Sequence, residues 1–503
     1  MIRNNVIFHY LPPGYIYYPS SGFSILKSFL SSTGGYDVRV KYWNIIIADI
    51  FKRKSEWDIK RKEGNASNTF ELLPFLVKFS MDYRDEVSYQ KIITGLFEEN
   101  PEMTIQNSEC YDNYIKNYLD MTSSMIEKGL NSINKANVLL HGFTAKFDQW
   151  IPAAFFAEKI KKIHSDVPIV IGGFQTKEHA LAIMQKIEVF DFAIWGEGEY
   201  PLLELCRKLE DKSDDFYEIP RLIFRNKKTL SSSDVKSLNC FNLNSIYPDH
   251  SDYINAAEQY NLNKNKIYLT IEDSRGCCWG KCKFCFRYIS NKYRRKSNEN
   301  IVSEVKHFSS VYDIHNFIFM GADLIGNDLE NFESMLDMFT ELKEKSEYEY
   351  NFVAEIIPKN LLEAMIKKMA IAGFIVQIGY ESTSDSILER INKQSRFIDL
   401  LFFVKHSLEY GLRIVGANIL INIPEETEKD ILNAINNLHY LRFFLDNTLL
   451  NINIQHYVLI VERGFLKKWQ NFKKNIGHIT KQLHCCLKLF LMVSIDSRFF
   501  LIV

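Results

Sequence analysis

Residues 267–286 read Ile267-Tyr-Leu-Thr-Ile-Glu-Asp-Ser-Arg-Gly-Cys-Cys-Trp-Gly-Lys-Cys-Lys-Phe-Cys-Phe286, an apolar strand that runs directly into a cysteine-rich loop. Within the loop, Cys278, Cys282 and Cys285 form a CxxxCxxC triplet. Gly276 and Gly280 let the backbone curl, so three thiolates on one short segment can hold three irons of a cubane cluster and leave the fourth open. Spacing by itself establishes only a metal-capable loop. A structural zinc site wants a fourth Cys or His, none follows soon after Cys285, and Cys277 adjoins Cys278 too closely to share its geometry easily. The opening Met1-Ile-Arg-Asn-Asn5 has no charged-then-apolar leader, so the nine cysteines are expected to be reduced and the protein cytoplasmic. Cys110, Cys206 and Cys240 stand singly and read as small buried apolar residues.

Downstream of the loop, apolar runs of strand length recur at 316–320, 352–357, 375–380, 414–423 and 450–460. Segments of helical period lie between them, such as Leu329, Phe332, Met335, Leu336, Phe339, Leu342 and Leu362, Met365, Ile366, Met369. Gly373 and Gly411 stand where helices should close. Six strands in turn with helices predict parallel βαβ units in a partial barrel, with ligands gathered at the carboxyl ends of the strands. The basic run Arg287, Lys292, Arg294, Arg295, Lys296 reads as a solvated helix entry.

The strand, the cysteine spacing and Phe284 before the last cysteine together resemble the radical S-adenosylmethionine (SAM) enzymes. That resemblance implies a [4Fe-4S] cluster on Cys278, Cys282 and Cys285, SAM chelated at the open iron, and reductive cleavage of SAM to a 5′-deoxyadenosyl radical. It places Phe284 beside the adenine. Gly321-Ala322-Asp323 falls where the family has a Gly-Gly-Glu-like turn for the SAM amino group, with Asp323 as the departure. Gly379-Tyr-Glu381-Ser, followed by Ile391-Asn392-Lys393, is similar to the family segment whose Glu holds the ribose. The stretch Gly416-Ala-Asn418 through Thr427 resembles the one near the adenine, with Asn422 where a Gly is common. An electron donor of the flavodoxin or ferredoxin type is implied as partner.

The first part of the chain carries a second α/β pattern. Strands at 6–10, 137–142, 168–173 and 190–195 end in turns, two of them glycine-rich: Gly172-Gly173 and Gly196-Glu197-Gly198-Glu199. Spacing allows a small α/β domain with tight turns. The succession, with the opening at 19–44, resembles the cobalamin-binding domains fused ahead of many radical SAM enzymes, and implies cobalamin held by those two turns. No histidine lies in residues 11–20, where an Asp-x-His-x-x-Gly motif would stand, so cobalamin is expected without a protein histidine ligand; His9 and His141 read as ordinary. The fold class is therefore α/β, an N-terminal Rossmann-like cobalamin-binding-type domain (1–210, with a helical insertion at 51–135) before a partial (β/α)6 TIM-like radical SAM barrel (263–462). A linker is expected at 211–262 and a short atypical segment at 463–503.

Within that family the chain looks most like the subgroup that matures ribosomal peptides, often by cobalamin-assisted C-methylation, which implies a precursor peptide as substrate. Methylation or rearrangement of a small metabolite, and a catalytically silent cofactor- or partner-binding protein, are the alternatives. A formal net charge of −1, with 46% hydrophobic and 24% charged residues, gives no electrostatic footprint for nucleic acid. No run reaches the ~20 apolar residues of a membrane span. Cys486 to Val503 comes closest, interrupted by Lys488, Asp496 and Arg498.

Overall fold

The computed structural model describes residues 4–53, 74–75, 78, 108–133, 135–226, 229–233, 240–285, 292–421, 423, 426–442, 444 and 449–456. Asn422, Arg287, most of the expected insertion and the segment 463–503 lie outside them. The chain divides into two compact units, Met1–Lys264 and a second beginning at Asn265.

In the first unit the order is β1 (Asn5–Tyr10), α1 (Ser21–Gly34), β2 (Asp37–Tyr42), α2 (Trp43–Arg53), α3 (Ser108–Asn131), β3 (Val138–Thr144), α4 (Trp150–Ile163), β4 (Ile169–Phe174), α5 (Lys177–Lys186), β5 (Phe192–Trp195), α6 (Glu199–Glu210), β6 (Leu222–Asn226), β7 (Thr229–Ser232) and α7 (Ser251–Gln259). The sheet runs β2-β1-β3-β4-β5-β6-β7. It is parallel as far as β5, and β6 and β7 add to it antiparallel. Local chemistry sets the helix ends. The Ser20 hydroxyl accepts the Phe23 N–H at 3.4 Å to open α1, and Gly35 at φ 70° closes it, a conformation that costs glycine nothing.

Residues 211–262, expected as a linker, contain β6, β7 and α7 and belong to this unit. Lys27 of α1 donates to Ser251 Oγ and Asp252 Oδ2, each at 2.8 Å. Asp252 also accepts the Val40 N–H of β2, and Tyr253 Oη donates to the Ile16 carbonyl at 2.9 Å. Asp249 and Asp252 look like loop chemistry in one dimension, yet both pair with Lys27, more than two hundred positions away. Of the single cysteines, Cys206 is buried as expected, whereas Cys240 is exposed.

Beneath the sheet runs a chain of aromatic donors and acceptors. Trp43 Nε1 donates to His9 Nδ1 at 2.9 Å, His9 Nε2 meets His141 Nδ1 at 3.0 Å, and His141 Nε2 meets His164 Nδ1 at 3.0 Å. An indole N–H can only donate. His9 Nδ1 is therefore the acceptor, and the proton of each ring in turn is fixed on Nε2. His9 and His141 are thus tied to each other and to two further elements, which their positions before turn-like segments did not reveal.

The second unit is built from β8 (Leu269–Ile271), β9 (Ser274–Arg275), β10 (Arg294–Arg295), α8 (Asn298–Tyr312), β11 (Asn316–Phe319), α9 (Leu329–Glu344), β12 (Asn351–Ile356), α10 (Glu363–Ala372), β13 (Phe374–Glu381), α11 (Asp385–Arg390), α12 (Phe397–Glu409), β14 (Arg413–Ile421), α13 (Glu428–Leu441) and β15 (Leu450–His456). Six strands lie in the order β15-β14-β13-β12-β11-β8, all neighbours parallel. Sequential parallel order with a helix in each crossover is the topology of a partial (β/α)6 barrel. Phe339 of α9 packs on Phe352 at 4.6 Å between ring centroids, and Phe352 on Phe374 at 5.3 Å, so the apolar stripe of α9 is buried against three strands. Gly373 closes α10 at φ 87°.

Of the described residues of the basic run, Lys292 is exposed as expected, but the last three are not a solvated helix entry. Arg294 and Arg295 form β10 against β9, Arg295 Nη1 donates to the Leu324 carbonyl at 2.6 Å, and Lys296 is buried in an ion pair with Glu304 of α8. Burial pushes Glu304 up to about 7 against the pull of Lys296. Among the described residues no helix is long and apolar enough to cross a membrane.

Acidification tests the histidine chain. Burial, with the neighbouring imidazoles and Lys41, Lys161 and Lys135, holds His9, His141 and His164 below the ordinary range, His141 at about 3; Asp166 opposes this at His164. The rings are neutral in the fold, while unfolded imidazoles titrate at about 6.5. Their stabilisation is complete above that pH and is lost as pH falls from about 6.5 toward the depressed folded values. Amide exchange in β1 and β3, followed by mass spectrometry and corrected for intrinsic rates, should accelerate over that window. Trp43→Phe, which strands a buried acceptor, should cost about 1–3 kcal/mol in urea unfolding.

Candidate cofactor sites

At the carboxyl end of β8 a buried carboxylate sets the base of the cysteine loop. Asp273 Oδ1 accepts the Gly321 N–H at 2.8 Å, Oδ2 accepts Ser274 Oγ at 3.0 Å, and its carbonyl accepts the Lys296 N–H at 2.7 Å. A Cβ on Gly321 would stand 2.3 Å from Ser274 Oγ and 2.4 Å from Asp273 Oδ2. Glycine is required there by close approach. Arg275 grips Glu272 with both Nε (2.7 Å) and Nη2 (2.9 Å), keeping the loop's entry straight.

The loop then docks on the turn after α11. Trp279 Nε1 donates to the Asn392 carbonyl at 2.8 Å, Asn392 Nδ2 donates to the Lys281 carbonyl at 3.0 Å, and the Lys283 N–H donates to the Ile391 carbonyl at 2.9 Å. Asn392 holds φ 56°, a left-handed conformation that asparagine tolerates. Lys393 Nζ lies 5.9 Å from the Phe284 ring centroid and 3.0 Å from Glu381 Oε1, in an ion pair whose side chains are only 5% and 9% exposed. Burial alone would lower Lys393, but Glu381 and Cys282 outweigh it, and the net direction is upward. Glu381 itself sits at φ 59° at the end of β13. A non-glycine residue in this region is strained and marks a place where the surroundings over-determine the backbone.

Four thiols share this loop. Cys277 Sγ accepts the Gly280 N–H at 3.4 Å, and Cys278 Sγ stands 3.9 Å from Asp323 Oδ2. The Cys278 thiol and backbone N–H groups push Cys277 down to about 5, and the same contact, with burial and Asp323, drives Cys278 upward. Burial raises Cys282 to about 11, with Lys393 pulling the other way. Among the described residues no three Cys, His, Asp or Glu side chains converge as a closed metal site. The donor set nonetheless fits an iron–sulfur cluster: Cys278, Cys282 and Cys285 are soft ligands on a segment tied down at both sides, and the sulfurs' present partners are weak ones that ligation exchanges. Asp323, 5% exposed, accepts the N–H groups of Ile325 (3.3 Å) and Ile357 (3.0 Å), and burial pushes it up to about 7.

The structure thus brings together the cysteine loop, Phe284, the turn Gly321-Ala322-Asp323, and Glu381. Asn418 lies on β14 opposite Asn453, one residue before Ile419, which pairs with Glu381. Asp273 and Lys393 were not among the expected site residues. Asp273 carries no local motif, and Lys393 was legible only as the end of the Ile391-Asn392-Lys393 segment.

In the first unit, the turns after β3, β4 and β5 adjoin along one sheet edge. The Ala145 N–H donates to the Gly172 carbonyl at 2.8 Å and the Gly196 N–H to the Phe174 carbonyl at 2.7 Å. Gly173 and Gly196 have φ 83° and 74°, and a Cβ on them would meet Thr144 Oγ1 at 2.6 Å and Arg221 Nη1 at 2.4 Å. Glu197 and Gly198 complete the second turn, and Glu199 is buried at the start of α6. Beside this edge, Arg221 Nη1 and Asn44 Oδ1 are buried polar atoms without a hydrogen-bond partner. Such atoms cost free energy unless something meets them. Glycine cradles and orphaned polar atoms on the carboxyl edge of a parallel sheet fit a large ligand rich in amide groups, as cobalamin is. Neither His9 nor His141 is free to serve as its axial ligand, since both ring nitrogens of each are engaged.

Residues 271–438 match the model of the Radical SAM superfamily. The ribosomal protein uS12 methylthiotransferase RimO of Acetivibrio thermocellus is 20% identical over 269 residues, 52% of this chain and 54% of that protein. The chain therefore spans about half the length of the curated relative it matches. Among solved structures, the radical SAM methyltransferase TsrM from Kitasatospora setae, with cobalamin and a [4Fe-4S] cluster bound, has a TM-score of 0.58 at 13% identity, covering 91% of this chain and 75% of that one. The cobalamin-dependent SAM radical enzyme OxsB, with aqua-cobalamin and SAM bound, has a TM-score of 0.59 at 14% identity, covering 97% and 56%. Likeness at such identities is likeness of fold. With its cysteine loop at the head of six sequential parallel strands and the family's model laid over it, the stretch 271–438 is a radical SAM domain.

Proposed function

We propose that this chain is a radical SAM enzyme that uses cobalamin to C-methylate, or otherwise modify, a ribosomally made peptide in the cytoplasm. The observation that carries the reading is the cysteine loop, clamped between the Asp273–Gly321 contact and the Ile391–Lys393 turn within the matched domain. When bound, a reduced cluster with SAM supplies one electron to the sulfonium, giving methionine and a 5′-deoxyadenosyl radical, and cobalamin supplies a methyl group.

The chain's own part is to hold and to shield. Cys278, Cys282 and Cys285 would hold the cluster, with Cys277 as the neighbouring thiol. Gly321-Ala322-Asp323 would offer a strand-end turn for the SAM amino group, Glu381 a carboxylate for its ribose, and Phe284 and Asn418 would flank the adenine. Gly172, Gly173, Gly196, Glu197, Gly198 and Glu199 would line the cobalamin, with no protein histidine on the metal. A flavodoxin- or ferredoxin-type protein would deliver the electron. A second reading, methylation of a small metabolite, is favoured by one relative of the same fold: TsrM has been solved with a tryptophan substrate and a SAM analogue, at a TM-score of 0.60 and 13% identity.

Three experiments test this. Anaerobic reconstitution with iron and sulfide should give a brown protein that, with dithionite and SAM, forms 5′-deoxyadenosine; Cys282→Ala should hold little iron and form none. A full cluster that never cleaves SAM would instead indicate a silent binding protein. Separately, hydroxocobalamin added to the apoprotein should remain bound through gel filtration with the absorption spectrum of a form lacking an imidazole ligand. A histidine-ligated spectrum, or no retention, would sink the cobalamin part. Product analysis with a precursor peptide and with free tryptophan then separates the two substrate classes.

A further inference from the structure

Lys393 is a buried cation beside the cysteine loop for which the cluster-binding reading gives no task. Its ammonium is 3.0 Å from Glu381 Oε1 and 5.9 Å from the ring of Phe284, which sits between Cys282 and Cys285. The ammonium is the end of this pair that meets the aromatic ring of the loop. The fold makes room for this arrangement. A Cβ on Gly379 would stand 2.5 Å from Lys393 Nζ and 3.0 Å from Glu381 Oε1, so glycine on β13 leaves the pair its present position without displacing either side-chain end. Residues 391–392, next to Lys393, are simultaneously hydrogen-bonded to Trp279, Lys281 and Lys283, which ties this turn to the loop.

From this geometry we infer that Lys393 is a positioning residue that raises the reduction potential of the cluster on the adjacent loop, making it easier to reduce before substrate chemistry begins. The physical ground is simple. Reduction adds one negative charge to the cluster, and a fixed positive charge in a low-dielectric setting stabilises the reduced form more than the oxidised one. A charge held behind an aromatic ring, away from water, acts with little screening. Glu381 opposes the effect and also keeps the ammonium from being a lone buried charge, which would be costly.

This inference rests on the proposed cluster site, and its test distinguishes failure of one from failure of the other. The midpoint potential of the reconstituted full chain, without SAM, is measured by electron paramagnetic resonance at poised potentials. Lys393→Met should shift it to more negative values, Glu381→Gln to more positive values, and Lys393→Arg should leave it near that of the parent. Because Lys393→Met leaves Glu381 buried alone and could unfold the site, the double variant Glu381→Gln/Lys393→Met provides the comparison without an unpaired charge. It should lie negative of Glu381→Gln alone. An unchanged or more positive potential on removing Lys393 from a protein that holds its cluster overturns the inference and leaves the cluster reading standing. A parent protein that assembles no cluster overturns both.

Discussion

The second unit depends on one constraint: a loop with four thiols has to be held still by groups that are not themselves ligands. A short glycine-containing segment has many conformations, and ordering each residue costs about 1–2 kcal/mol of backbone entropy. Here the cost is met from two sides. Asp273 anchors the loop's entry to the turn at Gly321, and the carbonyls and amides of residues 391–392 hold its middle through Trp279, Lys281 and Lys283. None of these contacts uses a cysteine sulfur. The scaffold can therefore persist whether the sulfurs are bonded to each other's protons, to Asp323 or to iron.

In the first unit the comparable constraint is the Trp43–His9–His141–His164 chain, which ties α2, β1, β3 and the end of α4 by three hydrogen bonds of 2.9–3.0 Å. A run of neutral imidazoles is directional: once the indole fixes the first acceptor, every tautomer is set. Such a chain satisfies buried polar groups only in one arrangement of the four elements, which gives the sheet a unique register beyond what its apolar faces specify. It also removes the histidines of β1 and β3 from any metal chemistry.

Much of the fold was legible because its signals are periodic. Apolar runs such as 316–320 and 375–380 lie within a residue or two of β11 and β13, and Gly373 stands where a helix needs a left-handed residue. What stayed hidden has no period. Asp273 is one acidic residue among ordinary neighbours, and its role depends on Gly321, 48 positions away. The helix α7 read as linker because its partners, Lys27 and Val40, are even more distant. Lys296 appeared as one of five basic residues at a helix entry, yet it is buried against Glu304; a charge run looks solvated unless its counter-charge is seen. For the site, the cysteines, Gly321–Asp323 and Glu381 could be named from motif order, while the ammonium between them could not be given a role without distances.

The buried charges of the second unit are collectively informative. Asp273, Asp323, Glu381, Lys393, Lys296 and Glu304 are all nearly excluded from solvent, and most lie within the strand-end layer around the cysteine loop. Ion pairs of this kind add little net stability over apolar packing, because desolvation offsets most of the Coulomb gain. A fold that needed only to be stable could do without them. Their concentration at the carboxyl ends of β8, β11 and β13, with two left-handed non-glycine residues, Glu381 and Asn392, in the same layer, indicates that stability there has been exchanged for a fixed electrostatic field. That field is what a reaction turning on a single electron would require. The apolar seam between α9 and the strands, around Phe339 and Phe352, packs beside this layer.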